Sequence, residues 1–73
     1  MKKIKILKSI PGKKLKKDST WQVTFMYENG MVSLIKMDKE SNKVLSCYNK
    51  QNWESMKIDD IEKGQKLGLL VIE

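Results

Sequence analysis

Histidine and arginine are both missing from this 73-residue chain, cysteine and proline occur once each, and the longest apolar run, LGLLVI at residues 67–72, is six residues long. Each absence narrows the chemistry. Without histidine there is no Ser-His-Asp or Cys-His constellation, and the side chain that titrates near neutral pH and most often holds metals is gone. One cysteine alone supplies no tetrahedral metal site. Asp59, Asp60 and Glu62 read as solvated carboxylates at a helix start rather than as a magnesium cluster. The expectation is a non-catalytic protein with no cofactor and no metal.

Cys47 has no partner for an internal disulfide, which points to a reducing compartment, and its place in an alternating run suits a buried structural thiol. The opening MKKIKILKS has the basic start of an export signal, but Lys5, Lys8 and Pro11-Gly12 interrupt the apolar stretch that should follow. Six apolar residues also fall short of the ~18 to 20 that span a bilayer. A cytoplasmic protein without membrane contact is expected. The missing arginine removes the planar fork that reads guanine or clamps phosphate, leaving lysine, a point charge with little geometric demand.

Lysine is abundant and unevenly placed. Lys2, Lys3, Lys5, Lys8, Lys13, Lys14, Lys16 and Lys17 fall in the first 17 residues with no acidic residue among them, while the remaining seven lysines face all nine acidic residues. The formal net charge of +6 thus originates in the N-terminal quarter. A one-signed patch of this kind attracts polyanions and steers their approach. Hydrophobic residues at 40% and charged residues at 33% are the balance of a globular chain. The length suits one domain, residues 1–73, burying only about 60% of its unfolded surface and therefore holding a thin core.

The periodicity is that of strands. Residues 3–10 alternate imperfectly, with Ile4, Ile6 and Ile10 on one side, and Pro11-Gly12 ends the run. Leu15 is the single apolar residue of the lysine loop and should anchor it. From Thr20 the alternation is clear, and Asn29-Gly30 between two β-rich runs predicts a hairpin with a two-residue type I′ turn. That turn sets Tyr27 opposite Val32, Phe25 opposite Leu34 and Val23 opposite Lys36, and collects Trp21, Val23, Phe25, Tyr27, Val32 and Leu34 on one core face. VLSCY at residues 44–48 reads as a further strand. Residues 59–64 read as a single helical turn ended by Gly64, and residues 66–72 as a last strand bent at Gly68. The sum is a mainly β fold, a small five-stranded SH3-like or OB-like barrel with one short helical turn before the last strand, in which first and last strands pair.

Two uses fit this pattern. The leading one is a small nucleic-acid-binding module holding the DNA or RNA backbone through Lys13, Lys14, Lys16 and Lys17 in the loop after Pro11-Gly12, assisted by Lys3, Lys5 and Lys8, with Trp53 and Tyr48 as rings able to stack on bases. The plain counterpart is a solvated lysine face and two rings that complete a thin core. Glycine-aromatic RNP motifs, a GXXG clamp and P-loop spacing are all missing, so sequence preference should be weak. The alternative is a small protein-binding inhibitor or accessory factor of a larger machine. Its contact area would be the Met26, Met31, Ile35 and Met37 face, which also suits a second packed layer or a homodimer.

Overall fold

The computed structural model describes residues 2–46 and 48–73. They form β1 (Lys3–Ile6), β2 (Thr20–Met26), β3 (Met31–Met37), β4 (Trp53–Lys57), α1 (Ile58–Lys66) and β5 (Leu70–Ile72), with a 3₁₀ turn at Lys50–Asn52. The strands make one antiparallel sheet in the order β4-β3-β2-β1-β5. β1 to β4 are a meander, and α1 carries the chain across to the far edge, where β5 pairs with β1 through Ile4↔Ile72, Lys5↔Val71 and Ile6↔Leu70. First and last strands therefore meet as the pattern predicts. β4 and β5 remain the two edges of an open sheet, so barrel closure by strand pairing is not found.

The fourth strand lies elsewhere than expected. VLSCY contributes only an isolated bridge, Met37↔Val44, and Cys47 lies outside the described residues. β4 is instead WESMK, whose Met56 packs into the core opposite Val32. The helix is also longer than one turn. Gly64 sits inside it, buried, where a Cβ would come within 3.0 Å of Leu70 Cδ2. The helix stops at Gly68 instead, whose φ of 76° suits glycine. There Gly68 N–H donates to Gln65 O and Leu69 N–H to Gly64 O, a Schellman closure. That end shortens the last strand to three residues.

The hairpin turn differs in a way that reorganises the sheet. Gly30 is the one turn residue in the left-handed region, at φ 84°. Tyr27 N–H donates to Met31 O at 2.8 Å and Gly30 N–H to Tyr27 O at 3.1 Å. The loop is therefore three residues, Glu28-Asn29-Gly30, in the type I plus bulge geometry. Asn29 keeps a negative φ, and its Oδ1 accepts Met31 N–H at 3.1 Å, so the left-handed cost falls on glycine alone. The extra loop residue turns Phe25 and Tyr27 to the outside. A second bulge, between Val23 and Phe25, then returns Val23 and Trp21 to the inside. The observed pairs are Met26↔Val32, Phe25↔Ser33, Val23↔Leu34 and Trp21↔Lys36, correcting the expected register and removing Phe25 and Tyr27 from the core.

The core that results is Ile4, Ile6, Leu15, Trp21, Val32, Leu34, Met56, Ile61 and Leu70, with Ile10, Val23, Ile58 and Ile72 packed against it. Trp21 is fully buried, and its indole Nε1 donates to Ser19 Oγ at 2.9 Å, while Ser19 Oγ donates to Lys16 O. Burying an indole without such a partner would cost about 1 to 3 kcal/mol. No helix among the described residues is long and apolar enough to cross a membrane.

Candidate nucleic-acid interface

The lysine loop is bound to the sheet. Leu15 is buried, as expected of an anchor, and draws residues 10–17 against the free edge of β4. There Lys13 Nζ donates to Ser55 O at 3.0 Å, and Lys14 Nζ donates to Trp53 O at 2.9 Å and Lys50 O at 2.8 Å. Lys14 N–H also donates to Glu54 Oε1 at 2.7 Å. An exposed strand edge invites pairing with other chains, and native sheets cover such edges. Here two ammonium groups do so. Lys13 and Lys14, read from the sequence as reaching outward, are only partly exposed and are committed to backbone carbonyls. Charge density along the sequence could not reveal this, because the acceptors lie about forty residues away.

The remaining lysines of the N-terminal quarter are placed differently. Lys2 is exposed beside the Ile4 end of the sheet, and Lys5, Lys8, Lys16 and Lys17 are exposed as well. The latter four ride on one antiparallel ribbon made of residues 5–9 and 16–20: Lys5 pairs with Thr20, Ile6 N–H donates to Ser19 O, Asp18 N–H to Ile6 O, and Lys17 N–H to Ser9 Oγ. Asp18 sits within this ribbon as its one acidic residue. Lys3, half-buried, lies two residues along β1 from Lys5 and on the same face, opposite Gln22. The fold thus brings four exposed lysines and one flanking lysine to the β1 side of the sheet, with Asp18 among them and Asp38 in the hollow beside Lys5.

The rings separate in the same way. Tyr48 is 95% exposed in the connection before the 3₁₀ turn. Trp53 is half-buried and paired across the sheet with Ile35. Two exposed rings that the alternation pattern assigned to the core, Phe25 (57% exposed) and Tyr27 (50%), contact each other edge to face with centroids 4.7 Å apart. The only sequence signal for them was the length of the Asn29-Gly30 loop, which the Asn-Gly pair leaves open between two and three residues.

The Met26, Met31, Ile35 and Met37 set does not form one exposed face. Ile35 and Met37 are each only 3% exposed, Met31 is half-buried, and the three-residue loop sets Met26 opposite Val32, on the other side of the sheet. Ile35 lies in the row Gln22, Ile35, Trp53 and Met37 in the row Thr20, Met37, Val44, and both are buried on the sheet face opposite Val32 and Leu34. Exposed Met26 instead borders a mainly apolar groove of about 350 Å³ lined by Ile4, Val23, Val32, Ile58, Ile61 and Ile72, with Phe25, Thr24, Lys2 and Glu62 also on its wall. Compared with protein-family models, curated proteins and solved structures, the chain shows no match.

Proposed function

We propose that this protein is a small non-catalytic nucleic-acid-binding module that holds the phosphate backbone through Lys5, Lys8, Lys16 and Lys17, with Lys3 beside them. The supporting observation is that these four lysines are exposed on one ribbon while Lys13 and Lys14 are consumed in holding the fold. Lysines placed this way neutralise phosphates and release counterions without reading bases. In this reading the architecture is a partly open small barrel of the SH3-like or OB-like kind, whose gap at the β4 edge is bridged by lysine side chains rather than by a strand.

Fluorescence anisotropy with labelled oligonucleotides over a salt series tests it. Binding should weaken linearly in log–log form, and changing Lys5, Lys8, Lys16 and Lys17 to alanine should flatten the slope by roughly 0.7 to 0.9 for each phosphate no longer neutralised. Changing Lys13 and Lys14 should alter stability more than slope. Absence of binding at low salt refutes the proposal.

A second reading is supported by the groove beside Met26. A protein-binding accessory role would use that groove rather than the buried Ile35 and Met37. Met26→Glu should then abolish a nuclease-resistant interaction that the four-lysine variant retains.

A further inference from the structure

We infer that the nucleic acid is single-stranded, and that Phe25 and Tyr27 form its base-stacking platform; this rests on the nucleic-acid reading above. Half-exposed aromatic rings are costly to keep in water, and the fold turns these two outward while a neighbouring bulge keeps Trp21 and Val23 inside. Their edge-to-face contact, at 65° between planes, holds both rings in place before any ligand arrives. Little side-chain freedom is then left to lose on binding.

The register puts the rings on the lysine side of the sheet. Lys3 pairs with Gln22, Gln22 with Ile35, and Phe25 with Ser33, two residues from Ile35 on the same strand. Lys5, Lys3, Thr20, Gln22, Phe25 and Tyr27 therefore share one face. From Thr20, the partner of Lys5, to Phe25 is five residues of strand, about 17 Å along the sheet. An extended strand can run its phosphates past Lys5 and Lys3 and place its bases on the rings, the arrangement of charge and aromatic surface that single-strand binders use.

The rest of the molecule disfavours a duplex. The one α-helix among the described residues exposes Asp59, Asp60 and Glu62 against Lys63 and Lys66, so it carries no net positive charge for a phosphate-lined groove. The β2–β3 hairpin, narrow enough for a major groove, carries Glu28 at its turn and no lysine there.

Three probes decide it: a short oligothymidylate, the same backbone carrying abasic sites, and a duplex of equal length, each titrated by anisotropy. The oligothymidylate should bind roughly 5- to 150-fold tighter than the abasic strand for each base that stacks. The double variant Phe25→Leu, Tyr27→Leu should erase that difference and leave the salt slope unchanged. Equal affinity for the abasic strand and oligothymidylate, or a duplex preferred by the wild type, overturns the inference while lysine-dependent binding still stands. No binding of any probe at low salt overturns both. The comparison of probes on the wild type needs no variant, and circular dichroism confirms that the leucine variant is folded.

Discussion

Lys14 and Lys17, close together in the chain, have opposite assignments. The ammonium of Lys14 donates to the carbonyl of Trp53 in β4 and to that of Lys50 in the 3₁₀ turn before it, whereas Lys17 is exposed to solvent. Lys14→Ala should destabilise the protein by about 1 to 2 kcal/mol, a partial share of the charge-assisted bonds it removes because the site is only partly buried. Lys17→Ala should stay within about 0.5 kcal/mol, as surface changes do. Urea denaturation of both variants checks this, and equal destabilisation would contradict it. Gly64 offers a second case. Alanine there gains about 1 kcal/mol of helix propensity but presses a Cβ to 3.0 Å from buried Leu70, an overpacking cost of about 1 to 3 kcal/mol. A net destabilisation near 1 kcal/mol is expected, read from the same titration.

The loop of residues 10–17 and β4 behave as one element. Removing both side-chain clamps in Lys13→Ala, Lys14→Ala should leave the β4 edge open. Amide exchange within β4 should accelerate and the melting temperature fall by about 4 to 8 °C for each kcal/mol of stability removed, as for a domain of this size. Protection unchanged at β4 would show that the edge needs no cover. The hairpin makes a parallel case for a turn. Gly30→Ala places a Cβ at φ 84°, which costs about 1 to 2 kcal/mol and acts at the loop that aims Phe25 and Tyr27. The existence of the hairpin was legible from Asn29-Gly30 flanked by β-rich runs. Its register was not, because two- and three-residue loops accept the same dipeptide and differ by one residue in parity.

Across the whole molecule the excess of lysine bears on stability and, under the proposed function, on binding. Exposed like charges on the ribbon of residues 5–9 and 16–20 repel one another, so moderate salt should raise the melting temperature by screening them while weakening oligonucleotide binding. The two responses have opposite signs, and measuring both on one salt series separates them. A melting temperature that falls with salt would mean that attractive pairs outweigh the repulsion. Acidic residues collect in part on α1, at Asp59, Asp60 and Glu62, while Asp18 and Asp38 line the hollow beside Lys5 and the C-terminal Glu73 lies beside β1.

Local sequence sufficed for the class of the fold, the central hairpin, the pairing of the first and last strands, the anchoring role of Leu15 and the one-sided charge. These follow from alternation, turn residues and composition, which neighbouring residues settle among themselves. Which lysines are spent depends on long-range packing, since the carbonyls of Lys50, Trp53 and Ser55 that hold Lys13 and Lys14 are remote in the chain. So does the choice of rings that face water. One added loop residue and one compensating bulge shift no composition and break no pattern, yet they reverse the side on which Phe25 and Tyr27 stand. The burial of Trp21 against a distant core selects that arrangement, and no window of sequence contains it.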